Sequence, residues 1–518
     1  MAVRTGPIDD HTAWQRHGFR VGGSETSDLV SVESELNAAG SLPKAWVQNW
    51  ITNPLSPAIA TVGSSWLSGQ DLLEQTANVA HRFHQLGVAP GDRILMSAPP
   101  STELVIAHIA ALRLGAIVVP VNTAYTVTEV EAVAAQGRPT LAIIDDPRRL
   151  PRSLRHLSVS ELATRTNTGD TGVPLDASIT TDPAMLMFTS GTTGKPKGVV
   201  LSHGNILASA EALRIAWHWT PEDRLILSLP LFHMHGLGVG IHGTLLAGSS
   251  VVIVPKFDVG GVLDEARDSS ASLLFGVPTM WVRFAESSRV AELARLRLCV
   301  SGSAPLAPDV FRALSQLGQQ TILERYGMTE TVMNVSNPYI GERRAGSVGL
   351  ALPGVQVRLA GEATPGSDEV ASEILLKGPN IMRTYWENPG ATAAAFDNEG
   401  WFLTGDIGTF DSDGYLSIVG RSKDLIITGG FNVYPREVEE ALVLHPAVAE
   451  CAVVGVADAQ WGETVLAYVV ASESVSEQTI LEHAAVHLAR FKQPRAVRFI
   501  DALPRNALGK VVKSELQK

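Results

Sequence analysis

The chain has little cysteine and no surplus of positive charge. Two cysteines, Cys299 and Cys451, stand in 518 residues. They lie far apart in apolar runs (LRLCVSG and AECAVVGV), and neither has a second Cys or a His at metal spacing. A disulfide scaffold and a zinc site are therefore not expected. Both read as buried thiols in strands, which suits a reducing cytoplasm. The formal net charge is -12, which argues against a general nucleic-acid binder and a polybasic membrane-surface protein but leaves room for a locally basic site. Repeats at solenoid period and low-complexity segments are missing too. The N-terminal MAVRTGPIDDHTAWQRHGF lacks an apolar core, so a secretory leader is not expected. Residues 225–255 contain no Asp, Glu, Lys or Arg, and the span is long enough to cross a bilayer. It also holds Pro230, five glycines and three histidines, and it breaks into LILSLPLF, a glycine-rich middle and SSVVIVP. It reads as buried strand, helix and strand rather than as a membrane segment.

What is there is an ordinary globular composition, 45% hydrophobic and 18% charged, in a chain long enough for more than one domain. Several segments repeat one grammar: amphipathic helical stretch, short turn, β-branched run. LLEQTANVAHRFHQLGVAPGDRILMSA and TELVIAHIAALRLGAIVVPVN are two of them. That alternation predicts an α/β fold of doubly wound subdomains. Residues 355–415 shift to short strands with Gly and Pro turns, a small β-rich subdomain. The last hundred residues predict helix, strand, strand, helix, strand, a small α+β domain. The expected division is a large domain over 1–420 and a small mobile domain over 421–518, with a boundary at 420–423.

One stretch, MLMFTSGTTGKPKGVVLSH over 185–203, runs from apolar to small and cationic residues and back. Hydroxyls, unobstructed backbone N–H groups and two lysines suit a polyphosphate. It is not the usual nucleotide P-loop: Gly191 and Gly194 are too close, and Pro196 follows Lys195. A flap over phosphates and a mobile surface turn are the two readings that the loop alone leaves open.

TSGTTGKPKG, followed in order by SGSAPL, ERYGMTET, TGD, GRSKDLIITGG and PRNALGK, resembles the adenylate-forming superfamily of acyl-CoA synthetases, luciferases and peptide-synthetase adenylation domains. The motifs span 182–513. The resemblance implies ATP, Mg²⁺ and coenzyme A as ligands, a carboxylic acid as substrate, and formation of an acyl adenylate and then a thioester. It implies that Thr189, Ser190, Gly191, Thr192, Thr193, Gly194 and Lys195 close over the β- and γ-phosphates. Gly302, Ser303 and Ala304 would wall the adenine pocket, on which Tyr326 stacks, with Glu324, Arg325 and Gly327 beside it. Thr329 would meet the α-phosphate and Glu330 would ligate Mg²⁺. Asp406 would accept the ribose hydroxyls, with Arg421 nearby. Lys423 stands at the hinge position, Lys510 at the adenylation lysine, and Gly429 and Gly430 on the coenzyme side. His233 would lie near the acyl carboxylate with Ser301 and Met328, and His235 stands next to it.

Around LLFGVPTMWVRFAES the chain looks most like the malonyl-CoA synthetases, in which an Arg at the position of Arg283 pairs with the distal carboxylate. On the residues alone, Arg283 either snorkels to water or meets a second carboxylate on the substrate. GGFNVYPREVE departs from this pattern at Asn432 and reads more like the medium- or long-chain fatty acyl-CoA (or acyl-AMP) ligases, which stand as the alternative. A non-catalytic nucleotide-binding protein is the third reading, opposed by the presence of Glu330, Asp406 and Lys510.

Overall fold

The computed structural model describes residues 33–163, 172–189, 196–361, 371–428, 431–458, 461–506 and 509–516. Packing divides the chain into two units, Met1–Val357 with Leu376–Phe402 and Arg358–Leu375 with Leu403–Lys518. That division follows packing; the boundary expected at 420–423 concerns motion and stays a proposal.

The large unit is built on two mostly parallel sheets. One has nine described strands, with Leu298–Ser301 flanked by Leu323–Tyr326 and Leu273–Gly276, and Arg224–Leu227 and Ser250–Ile253 further along. The other has seven, centred on Arg93–Ser97, Ile117–Pro120 and Leu141–Ile144. These central strands are buried along their length, as parallel strands covered on both faces must be. The helices between them start on side-chain caps. Ser68 with Asp71 boxes Gly69–Gln85, and Thr126 with Glu129 boxes Val127–Gly137. Thr102–Leu114 is buried almost all round because it touches strands of both sheets, and it ends on Gly115 at φ 84°.

The charge-free span 225–255 is strand Arg224–Leu227, a π-helical turn His235–Ile241, helix His242–Ala247 and strand Ser250–Ile253, as expected. Among the described residues no helix is long and apolar enough to cross a membrane. Cys299 is fully buried in its strand; Cys451 also lies in a strand but is only half-buried, and both are unpaired.

The second unit joins most of a four-stranded sheet, formed by Gln356–Leu359, Ser372–Lys377, Phe402–Phe410 and Leu416–Arg421, to an α+β body. That body runs helix Pro435–Val443, strands Val448–Asp458 and Gly462–Ala471, helix Glu477–His487 and strand Ala496–Phe499, the order expected. A short hairpin, Ile426–Thr428 with Phe431–Val433, was not expected.

Buried charge in the large unit is held by saturation. Arg113 is 5% exposed; its Nε and Nη2 donate to Asp176, and its Nη1 donates to the Leu73 carbonyl and the Thr76 hydroxyl. Removing one partner of such a pair strands the other. Arg113→Met is therefore expected to lower stability by about 3 kcal/mol, read as a lower urea midpoint; an unchanged midpoint would show that the pair holds nothing.

Candidate functional site

In the large unit the candidate residues collect at the C-terminal ends of parallel strands. Gly276 stands level with Ser301, and Ser301 with Glu324. Ligand sites of open α/β sheets form at such edges, because chain segments remote in sequence end together there.

Ser301 is buried, and its hydroxyl has no partner among the described residues. The chain then turns through Gly302 and Ser303, the latter left-handed at φ 74°, before half-buried Ala304. The Ser303 hydroxyl lies 3.2 Å from Nδ1 of His235. On the next strand, Glu324 does structural work: its carboxylate accepts the backbone N–H groups of Leu306 and Gly346. Tyr326 is buried, with its hydroxyl 3.9 Å from the Met328 sulfur.

Between them stands Arg325, 5% exposed. Its guanidinium lies where a side chain at residue 302 would go: a Cβ on Gly302 would sit 2.3 Å from its Cζ. Burial pushes its pKa down to about 9. Nε and Nη2 have no hydrogen-bond partner among the described residues. Burial, and after it the Arg325 charge, holds His235 well below the usual imidazole value, and its Nε2 is likewise without a partner. Burial lowers His233 to about 4. Both histidines are therefore neutral at physiological pH.

The GMTET turn is compact. A Cβ on Gly327 would lie 2.1 Å from the Val332 carbonyl, and Val332 itself is left-handed at φ 55°, a strained setting for a β-branched residue. Asn380 holds this turn through the carbonyls of Thr331 and Met333. Thr329 is half-buried and Glu330 is 8% exposed. The Tyr385 hydroxyl donates to Glu330 Oε1 at 3.1 Å, and the Lys197 ammonium lies 5.3 Å from the Tyr385 ring centre. Tyr385 and Asn380 were not singled out in the sequence; each is remote in the chain from the motif it supports. Thr189 ends its strand, its hydroxyl donating to the Lys197 carbonyl at 3.5 Å. Ser190, Gly191, Thr192, Thr193, Gly194 and Lys195 lie outside the described residues, as do Gly429 and Gly430.

Among the described residues no group of three His, Cys, Asp or Glu side chains could hold a metal by itself. A single buried carboxylate, Glu330, fits a hard cation that takes most of its oxygens from phosphates and water.

Arg283 lies on the helix that follows strand Leu273–Gly276. It is exposed on helix Pro278–Ala285, whose buried side chains are Met280, Trp281 and Phe284, and its guanidinium lies 4.9 Å from the Phe257 ring centre.

In the second unit, Asp406 and Arg421 face each other across paired strands, and Arg421 Nε meets Asp406 Oδ1 at 2.9 Å. Lys423 is exposed on a short turn. Lys510 follows left-handed Gly509 and donates its N–H to Asn506. Although its side chain still reaches solvent, the protein around its ammonium, and then the Arg421 charge, push its pKa down to about 8, against the pull of Asp406 and Asp424.

The description "AMP-binding enzyme" matches residues 48–386, and "AMP-binding enzyme C-terminal domain" matches 437–510. The malonate–CoA ligase of Arabidopsis thaliana is 34% identical over 84% of this chain and 79% of its own length. A feruloyl-CoA synthase from an Amycolatopsis species is 35% identical over 90% of this chain and 96% of its own. The crystal structure of ATP-bound MatB from Rhodopseudomonas palustris superposes with a TM-score of 0.86 at 37% identity, covering 92% of this chain and 98% of that one.

A lysine lowered to about 8 is charged at neutral pH and loses its charge as pH rises through that value. If it serves adenylation, acid-dependent exchange of pyrophosphate into ATP falls above about pH 8, and Lys510→Arg removes the fall. Lys510→Ala lowers exchange by on the order of 100-fold. A wild-type profile that stays flat through this range would remove Lys510 from the reaction.

Proposed function

The chain belongs to the family of AMP-binding enzymes, and we propose that within it this protein joins malonate, or a methyl-substituted malonate, to coenzyme A. It is an AMP-forming CoA ligase: a carboxylate oxygen attacks the α-phosphorus of ATP, pyrophosphate leaves, and a thiol sulfur then attacks the acyl carbon and releases AMP. Adenylation turns a poor electrophile into one with a good leaving group.

The observation that carries the substrate reading is the neutral, buried His235 beside His233. Nδ1 pairs with the Ser303 hydroxyl and Nε2 has no partner among the described residues; in the tautomer in which the hydroxyl donates, Nε2 carries the proton and is left to donate. A fatty tail against it would leave a desolvated donor unpaired, at a cost of about 1–3 kcal/mol. The oxygen of a small polar acid would pair with it. The likeness to a malonate–CoA ligase supports the same reading, while the comparable likeness to a feruloyl-CoA synthase leaves the choice of acid to the pocket chemistry.

Roles follow by the same resemblance. Tyr326 stacks on adenine, Thr329 meets the α-phosphate, and Lys510 adds positive charge where the adenylate forms. Asp406 and Arg421 serve the ribose, and Lys423 is the pivot between half-reactions. Glu330, held by Tyr385, would ligate Mg²⁺, which when bound neutralises phosphate charge and orients the transferring group. Two unpaired cysteines fit a reducing cytoplasm. The fatty-acyl alternative is favoured by GGFNVYPREVE, which lies on the coenzyme side and has no bearing on the acid pocket.

The test is AMP and thioester formation from ATP, Mg²⁺ and coenzyme A with malonate, methylmalonate, acetate and octanoate side by side. The diacids are expected to lead in kcat/KM by roughly tenfold or more. A lead for octanoate would overturn the reading.

A further inference from the structure

We propose that Tyr385 is the positioning residue of the Mg²⁺ carboxylate, tying Glu330 to the strand that leaves the phosphate-binding stretch; the inference rests on the assignment of Glu330 to Mg²⁺ above. The two ends of the nucleotide site belong to different sheets. Strand Lys197–Ser202, which follows the phosphate stretch, lies in the seven-stranded sheet, and Glu330 follows strand Leu323–Tyr326 of the nine-stranded one. Sharing Mg²⁺ between phosphates and one carboxylate needs those ends at a fixed separation, because an octahedral shell tolerates little error.

Residues 379–386 join them. Asn205 Nδ2 donates to the carbonyls of Pro379 and Ile381, and Asn380 Nδ2 to those of Thr331 and Met333. The Met382 N–H donates to the Glu330 carbonyl at 2.8 Å. Further on, Thr384–Tyr385 pairs antiparallel with the outgoing strand, Tyr385 level with Val199, and the Trp386 N–H donates to the Gly198 carbonyl at 2.7 Å. Gly198 permits that approach: a Cβ there would lie 3.0 Å from the Trp386 Cβ. Alternation along the strand exposes Thr384 and turns Tyr385 inward. Its ring meets the Lys197 ammonium and its hydroxyl meets Glu330 Oε1. One side chain thus touches both ends of the site.

The chemistry favours a hydroxyl for this task. A buried metal carboxylate needs its plane fixed and its charge kept. An arginine or lysine in this place would fix the plane but neutralise the charge that a cation needs, whereas a phenol does the first without the second. Burial, and then the Glu330 charge, raise the pKa of Tyr385, so it remains a neutral donor at physiological pH. Carboxylates that ligate metals are themselves held by hydrogen bonds, and losing such a partner costs about 10–100-fold in metal affinity or activity.

Half-saturating Mg²⁺ is read from exchange of pyrophosphate into ATP, with whichever acid the wild type turns over fastest, and ATP affinity by calorimetry with and without Mg²⁺. Glu330→Gln is measured first; if it leaves both readings unchanged, the metal assignment of Glu330 has failed on its own and this inference falls with it. Otherwise Tyr385→Phe, which removes only the hydroxyl, is expected to raise half-saturating Mg²⁺ by on the order of 10-fold. Its exchange rate recovers to within about threefold of wild type at saturating Mg²⁺, and its ATP affinity falls with Mg²⁺ present but stays within about twofold without it. Thr392→Val removes the hydroxyl that accepts the Tyr385 N–H, loosening the same segment while leaving the phenol in place. Its half-saturating Mg²⁺ is expected to stay within about twofold of wild type. An equal shift in both variants would overturn the assignment and make Tyr385 one part of general packing. So would a Tyr385→Phe loss that is the same at every Mg²⁺ concentration, or an unmoved Mg²⁺ curve.

Discussion

The site depends on one constraint, the parallel register of neighbouring strands. Arg224–Leu227, Leu273–Gly276, Leu298–Ser301 and Leu323–Tyr326 run the same way and finish within three residues of one another. Each must therefore leave the sheet at the same edge. Four segments spread over a hundred residues deliver His233 and His235, Val277 and Pro278, Gly302 and Ser303, and Gly327 to Glu330 to one place. Inside the sheet the ladder satisfies the backbone. At its edge the turns need tight or left-handed geometry, supplied by Gly302, Ser303, Gly327 and Val332.

The second constraint is how charge and polarity survive where water is excluded. Most of the large unit meets it with acceptors placed around each arginine. The buried imidazoles meet it by giving up charge: His108 is pushed down to about 3 by burial, and its Nε2 lies 2.7 Å from Nε2 of His242, one ring donating and the other accepting. Arg325 follows neither rule, since it stays cationic at neutral pH and lacks its full set of acceptors. Unsatisfied buried polarity is costly enough that it persists mainly where function requires it.

Much of this was legible in the sequence. Alternating helix and strand grammar gave the α/β class, and glycines, a proline and histidines in 225–255 marked a buried strand, helix and strand despite the missing charge. The ordered motifs named the candidate positions that the strand ends bring together. What could not be read was side-chain direction. Leu-Glu-Arg-Tyr looks half-polar, as an exposed strand would; it is buried because eight further described strands share its sheet. Arg283 follows Trp281 by two residues, about 200° round a helix, which carries it away from the buried stripe. Only the packing of Phe257 and the neighbouring strands tells which side of that helix is inside. Tyr385 and Asn380 reach the GMTET turn from about fifty residues downstream, where no local pattern marks them.

Gly302 and Arg325 share one volume, and this sets an order on mutational history. While the Arg325 guanidinium keeps this position, a β-carbon at 302 collides with it. A lineage drifting from this pocket to a greasier one must shorten residue 325 first and only then enlarge residue 302. A lineage drifting the other way must clear residue 302 before the arginine can enter. Each route has a single open intermediate, glycine at 302 with a short side chain at 325. The two positions are therefore expected to change in sequence rather than independently.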